Sequence, residues 1–293
     1  MGAPFVLRIC RERSAALMGI LNVTPDSFYD GGRYLDEASV AERIEALVAE
    51  GADIIDIGGE SSRPGSVKVP AAEQVARIEV AVRRAVDSGV KVSIDTTSPE
   101  VADRMLGLGA HIVNDVSCLS DPELARVTAR YQADLVLMHA RGSMAEMKGF
   151  SVYAEDAYDD VVTDVLREWG AARDRALEVG LARDRVWLDP GIGFAKNARQ
   201  SWELLRRLPE LTAEGVPVVV GPSRKSFIGA LDGSPPEQRL GGTIAACVLS
   251  VQRGAHVLRV HDVAAVKQAL RVMQELTPSG ATESGERVGL PRD

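Results

Sequence analysis

The chain has 293 residues, 45% hydrophobic and 26% charged, with 34 Lys and Arg against 42 Asp and Glu for a net charge of −8. An acidic chain without a basic block lacks the footprint of a nucleic-acid or anionic-membrane binder. No apolar run approaches the about 18 residues of a membrane span, and Arg8, Arg11, Glu12 and Arg13 interrupt what a signal peptide would need as its apolar segment.

The first organised stretch, residues 17–32, passes from Leu17–Leu21 into a polar loop ending at Gly31-Gly32. The apolar part is too short for a helix and fits a strand buried on both faces. Asn22 places a neutral amide at its end, and Pro25-Asp26 marks the next segment as loop. The same grammar recurs at 53–58, 90–95, 112–116, 133–139, 186–189, 216–221 and 256–260, which makes eight strands. Between them lie segments of helical period, with one apolar face on Val75, Ile78 and Val82, another on Val162, Val165, Leu166 and Trp169, and a third on Val263, Val266, Leu270 and Met273. Several such segments end at a glycine, among them Gly51, Gly109 and Gly254, as helix C-termini do.

Eight strands alternating with helices predict parallel pairing through right-handed crossovers. A single (β/α)8 TIM barrel over residues 17–276 matches that fold's usual size of about 250 residues. A doubly wound open sheet competes, but no Gly-x-Gly-x-x-Gly turn comes after the first strand. Residues 1–16 are expected to form an ordered lead-in or an extra strand, and residues 277–293 a disordered tail. Cys10, Cys118 and Cys247 show neither CxxC spacing nor an even count, so inert thiols in a reducing cytoplasm are expected.

In such a barrel the functional side chains come from the C-terminal strand ends. Those positions hold Asn22, Asp56, Asp95, Asn114 with Asp115, His139, Asp189, Ser223 with Lys225, and Arg259 with His261. Any one of them alone reads equally well as a helix cap or a satisfied buried carboxylate. So many together do not, because each unpaired buried polar group costs about 1–3 kcal/mol. Asp95, Asn114 and Asp189 suit a flat heterocycle carrying several N–H donors, such as an aminopyrimidinone. Arg63, Lys225, Arg259 and His261 gather donors and positive charge, partly where a barrel's phosphate site is commonly built. Arginine forks phosphate oxygens naturally, so an anionic substrate is expected. Arg63 by itself also admits the lesser reading of a surface loop arginine.

Failed motifs narrow the chemistry. Gly221-Pro-Ser-Arg-Lys225-Ser226 resembles the end of a P-loop, but Arg224 stands where glycine is needed. No paired-His spacing supports a zinc hydrolase. His111 and His256 sit at strand starts and read as structural; His139 is ambiguous; His261 is the best functional candidate.

Jointly these residues resemble the dihydropteroate synthases. The likeness rests on Met18-Gly-Ile-Leu-Asn-Val-Thr-Pro-Asp-Ser-Phe28, Asp56-Ile-Gly-Gly-Glu-Ser-Ser-Arg-Pro-Gly65, Ser93-Ile-Asp-Thr96, Asn114-Asp-Val-Ser117, Leu188-Asp-Pro-Gly-Ile-Gly-Phe-Ala-Lys196, Ser223-Arg-Lys-Ser-Phe227 and Arg259-Val-His-Asp-Val263, in family order. The resemblance implies a cytoplasmic homodimer, a sulfonamide target, that joins 6-hydroxymethyl-7,8-dihydropterin diphosphate to para-aminobenzoate in folate biosynthesis. It implies a pterin seat of Asp95, Asn114, Asp189, Gly221 and Lys225 between the apolar walls Met138 and Phe194. Asn22 would ligate Mg²⁺, and Ser62, Arg63, Arg259 and His261 would bind the diphosphate. Phe28, Pro64, Phe194 and the Lys225 stem would hold the aminobenzoate, with Ser223 near its carboxylate. Asp95, Asp189, Lys225, Arg259 and His261 would carry the catalytic work.

The residues accommodate that chemistry. A pterin ring can delocalise the cation left by C–O ionisation, so the protein need only stabilise a departing anion. No protein nucleophile is required, in keeping with the lack of a Ser–His–Asp or Cys–His pattern. The Gly- and Pro-rich loops at 24–36 and 61–70 read as lids. Tyr29, Cys118 and Pro222 depart from the family's usual residues, and Met138–Met147 is a loose version of its fifth loop. Two rivals use the same barrel: methyl transfer to a corrinoid protein, and a non-catalytic pterin-binding paralogue. The first leaves the cationic cluster without a purpose; the second would have lost part of it.

Overall fold

The computed structural model describes residues 5–24, 37–61, 68–142 and 153–277. The short apolar runs become strands β1 (Ala16–Asn22), β2 (Ile54–Gly58), β3 (Lys91–Asp95), β4 (Ile112–Asp115), β5 (Asp134–Met138), β6 (Val186–Asp189), β7 (Val219–Val220) and β8 (Val257–Val260). All neighbours pair in parallel, in the order β6-β5-β4-β3-β2-β1-β8-β7. A parallel bridge between Leu188 and Val218 joins the two ends and brings the ring to closure as a TIM barrel. β7 is shorter than its apolar run because Pro217 and Pro222 have no N–H to donate to a ladder.

Helices α1 (Phe5–Arg13), α2 (Glu37–Glu50), α3 (Ala71–Asp87), α4 (Pro99–Gly107), α5 (Pro122–Arg130), α6 (Val161–Glu178), α7 (Ala198–Arg206), α8 (Leu208–Thr212), α9 (Ser226–Gly229), α10 (Leu240–Gln252) and α11 (Val263–Leu276) complete the described elements with three short 3-10 turns. Their starts are written locally. Ser98, Asp121 and Asp160 cap α4, α5 and α6, and Asn197 with Gln200 forms a capping box on α7. The apolar faces expected from periodicity are buried: Ile78 and Val82 on α3, Val162, Val165 and Trp169 on α6, and Val263, Val266 and Leu270 on α11.

The lead-in is a helix, not an additional strand. Val6 of α1 is fully buried among Met18, Ile54, Ile112, Val136, Trp187, Val219 and Val257, the inward residues near the N-terminal strand ends. The Phe5 ring lies 5.9 Å from that of Trp187, and the Cys10 thiol donates to the His256 carbonyl at 3.2 Å. α1 therefore plugs the lower end of the barrel. Its nine residues are too few for a decisive periodic signal.

Val6→Asp would put an unpaired carboxylate in that plug. It is expected to lower unfolding free energy by about 3 kcal/mol or more in urea titrations; a loss under about 0.5 kcal/mol would mean that α1 does not seal the barrel floor.

Candidate active site

Side chains on one face of a strand recur at every second residue. The inward floor residues Ile54, Ile112, Trp187 and Val257 are each succeeded, two positions on, by Asp56, Asn114, Asp189 and Arg259. Ser93 precedes Asp95 in the same way, and Val219 precedes Gly221. Within one strand pleat the barrel lining changes from apolar to polar. Residues of the opposite parity turn away. Asp115 accepts hydrogen bonds from the Ser117 and Leu119 amides at 2.9 and 2.5 Å and caps its own turn. His139 points outward toward α6, while Met138 faces in.

Arg259 ties the polar layer together. Its Nε donates to Asp56 Oδ2 at 2.7 Å and its Nη2 to Asp95 Oδ2 at 2.8 Å. The Asn114 amide adds a 3.1 Å bond to the same Asp56 oxygen. Asp56 Oδ1 and Ser93 Oγ remain buried without a partner among the described residues. Burial pushes the Asp95 carboxyl up to about 7; Arg259 opposes that rise and Asp56 adds to it.

The other half of the mouth is built on the 190–196 loop. Burial raises the Asp189 pKa, while Lys225 and a 2.7 Å bond from the Gly191 amide pull it down. The Lys225 ammonium lies 4.5 Å above the Phe194 ring and donates to the Ile192 carbonyl; burial draws its pKa down to about 8. Gly193 adopts φ 78°, and a Cβ there would stand 3.3 Å from the Lys225 stem. Val116, Met138 and Phe194 form a small apolar wall. A Cβ on Gly221 would stand 3.7 Å from both Lys225 Nζ and Arg259 Cβ, so the two cations flank one bare strand end.

At the rim, Ser223 Oγ lies 2.9 Å from His261 Nδ1 and accepts from the His261 amide at 3.2 Å. With the hydroxyl proton directed at Nδ1, the ring proton sits on Nε2, free to donate outward. Partial desolvation of the rim-exposed His261 ring and, next, the Arg259 and Arg224 charges hold its pKa below the ordinary value, so the ring is neutral rather than cationic at pH 7. Arg224 does not enter the mouth: it makes a bidentate pair with Asp262 at 2.9 and 2.6 Å. Asn22 ends β1 beside Gly58, where a Cβ would come within 3.6 Å of the Asn22 amide oxygen and 3.4 Å of the Asp95 Cβ. The missing side chain leaves a hard neutral oxygen open next to the acids.

The fold thus brings Asn22, Asp95, Asn114, Met138, Asp189, Phe194, Gly221, Ser223, Lys225, Arg259 and His261 to the same end of the barrel. Phe28, Tyr29, Ser62, Arg63 and Pro64 lie outside the described residues, as do the fifth-loop residues 143–147 and the tail beyond Thr277. Arg259, expected on phosphate oxygens, is engaged by Asp56 and Asp95. Asp56, a strand-end residue to which the sequence assigns no role, is the anchor of that network; its match in parity to Asp95 is the signal that could have found it. Lys196 and Glu168 carry no separate signal in the sequence. His111 and His256 accept from the Val92 and Val218 amides at 3.3 and 3.1 Å near the strand starts. The three cysteines are free, with Cys10 pushed up to about 11 and Cys247 to about 12 by burial.

Residues 18–261 match the family described as pterin binding enzyme. The dihydropteroate synthase of Synechocystis sp. is 43% identical over 265 residues, covering 89% of each chain. The structure of Xanthomonas albilineans dihydropteroate synthase with 4-aminobenzoic acid has a TM-score of 0.83 at 40% identity, covering 92% of this chain and 98% of that one. The X. albilineans enzyme in complex with 7,8-dihydropteroate gives 0.79 at 38% identity, covering 92% and 99%.

Removing one partner of a buried charge network typically costs about 3–5 kcal/mol. Arg259→Met is expected to approach that loss at pH 8, where Asp95 would be ionised without its counter-charge. The stability of a carboxyl whose pKa is raised on folding is present at low pH and lost as pH rises through the folded value. The deficit should therefore shrink at pH 5; a loss equal at both pH values in urea titrations would show that these ion pairs do not govern the site.

Proposed function

Since the chain belongs to the dihydropteroate synthases of the pterin binding enzyme family, we propose that its barrel mouth seats a dihydropterin diphosphate deep and para-aminobenzoate nearer the rim. The enzyme condenses 6-hydroxymethyl-7,8-dihydropterin diphosphate with para-aminobenzoate to give 7,8-dihydropteroate and pyrophosphate, a transferase reaction of folate biosynthesis. The observation that supports this seating best is the pair of cations flanking Gly221: the acids and amide that suit a pterin share one opening with the donors that suit its leaving group.

Asp95, Asn114 and Asp189 accept from and donate to the ring edge, while Met138 and Phe194 cover its faces. Arg259 exchanges a carboxylate for phosphate oxygens as the diphosphate enters, which frees Asp95 toward the ring. As the pterin C–O bond ionises, Arg259 and the Nε2–H of His261 stabilise charge on the departing oxygens. The aminobenzoate nitrogen then attacks the exocyclic methylene carbon and loses its proton. That amine is neutral near pH 7, so no strong general base is needed.

Among the described residues no three His, Cys, Asp or Glu side chains gather as a metal cage. A single amide oxygen at Asn22 beside the bare Gly58 fits Mg²⁺, which favours a few oxygen ligands plus substrate phosphates. Bound there, Mg²⁺ would neutralise charge on the diphosphate. Methyl transfer to a corrinoid protein would leave the Lys225–Arg259–His261 side of the mouth without work.

The partner and compartment belong to the same reading. Among the described residues no helix is long and apolar enough to cross a membrane, and the free thiols suit a reducing cytoplasm. Ile244 and Val248 of α10 and Val272, Met273 and Leu276 of α11 line a shallow apolar groove, with Val272 55% and Leu276 79% exposed. We infer that a second copy of the chain covers it. Val272→Glu should convert a sedimenting dimer to monomer; a variant that remains dimeric would place the interface elsewhere.

The activity is tested by mass-spectrometric detection of dihydropteroate from the two substrates, with and without Mg²⁺. Asp189→Ala is expected to weaken free 6-hydroxymethylpterin binding roughly ten- to a hundred-fold, the worth of a hydrogen bond to a charged group. Unchanged calorimetric affinity would remove Asp189 from the seat. Arg259→Gln should lose more affinity for the diphosphate than for the free pterin, and an equal loss for both would count against its proposed role.

A further inference from the structure

Beneath the wall that carries Phe194 lies a chain of charged and titratable groups that the reaction does not use, buried at Lys196 and His139 and half-buried at Glu168 and Arg141. Lys196 is wholly buried. Its ammonium lies 2.9 Å from His139 Nδ1 and donates to the carbonyls of Phe194 at 3.0 Å and His139 at 3.4 Å. His139 Nε2 lies 3.0 Å from Glu168 Oε2 on α6. Arg141 grips the same carboxylate at 2.9 and 2.5 Å and stacks 3.8 Å over the Tyr158 ring. The Tyr158 hydroxyl in turn donates to the Ala195 carbonyl at 2.9 Å. Two of these links end on the backbone of the loop after Asp189, at the Phe194 and Ala195 carbonyls, and the His139 amide donates to the Asp189 carbonyl at 2.8 Å.

An ammonium excluded from water is costly unless its donors are satisfied and its charge is used. Here the three acceptors satisfy it, and they belong to β5's end and to the loop itself. We propose that Lys196, backed by His139 and Glu168, is a positioning residue for the pterin seat: it ties the 190–196 loop to β5 and adds a buried positive charge behind Asp189, beyond those of Lys225 and Arg259. The inference rests on the seat proposed for the pterin and assigns a role to a residue that touches neither substrate.

The electrostatics agree with this geometry. Burial draws Lys196 down to about 7, with Asp189 opposing that fall and Lys225 and Arg141 adding to it. Burial likewise draws His139 down to about 4, with Lys196 adding to the fall and Glu168 opposing it. The hydrogen bond to His139 is the largest cause holding Glu168 below the usual carboxylate range. Cys118 and Tyr158, whose ring lies 5.9 Å from the Lys196 ammonium, are further titratable neighbours, and burial raises the pKa of both. Near neutrality the Lys196–His139 pair thus holds one proton, and it sheds that proton as pH rises through about 7. The carboxylate of Asp189 loses support on that side of neutrality and gains it below.

The test is the dissociation constant of 6-hydroxymethylpterin between pH 5.5 and 9, with the full chain, for the wild type, Lys196→Met and Glu168→Gln. Each variant is expressed as a ratio to the wild type, which cancels the ligand's own titration. For Lys196→Met the ratio is expected to reach roughly tenfold below pH 7, the effect of one unit in a carboxylate pKa, and to fall toward one above pH 8, where wild-type Lys196 is already neutral. A role limited to packing would give a ratio independent of pH, and that result overturns the proposal. Glu168→Gln serves if Lys196→Met does not fold. Without the carboxylate the pair should lose its proton at lower pH, so its ratio should peak between pH 6 and 7; a flat ratio overturns the proposal equally. A wild-type chain that binds no pterin would instead refute the seat on which the inference rests.

Discussion

A guanidinium held between two carboxylates on neighbouring strands is the interaction on which the rest of this active end depends. Arg259 on β8 cannot shed its charge, so Asp56 on β2 and Asp95 on β3 must stay within reach of it. The arrangement is possible because the side chains directly below, Ser93 apart, are apolar, and all of them are excluded from water, which strengthens each ion pair while making an unpaired partner costly. The floor of Met18, Ile54, Ile112, Trp187 and Val257 is therefore as much a part of the site as the charges above it.

Burial then tunes the surrounding groups away from their ordinary states. Lys225 is drawn to about 8, Asp95 pushed to about 7, and His261 kept neutral. Although the chain as a whole is acidic, the mouth is a place where cations and acids are balanced almost one against one. A site of that kind can accept a ligand that carries both a neutral, donor-rich ring and an anionic tail, since each half meets groups held close to their point of exchange.

Much of this architecture is legible in the sequence itself. The eight apolar runs, their alternation with helical periods and the polar residue closing each run are local signals, and parallel pairing comes from them. The inward and outward sorting of Asn114 against Asp115, and of Met138 against His139, is latent in the strand parity but needs a known floor residue to start the count. α1 escapes a sequence reading as a helix because nine residues with interleaved arginines have no strong period, and its burial is decided by the far ends of seven strands. β7 shrinks at its prolines. Lys196 is invisible in its role because its partners, His139 and Glu168, lie 57 and 28 positions away, and only the fold brings them together. The pairing of Ser223 with His261 across 38 residues is of the same kind.

The plug formed by α1 has a further consequence. A barrel stoppered at its lower end is a blind well, and everything that enters must leave by the way it came. A heterocycle lodged against Asp95, Asn114 and Asp189 sits at the bottom of that well, so a second reactant resting nearer the lip would bar its exit. For ligands seated in that way, traffic would be last in, first out, with depth setting the sequence of arrivals.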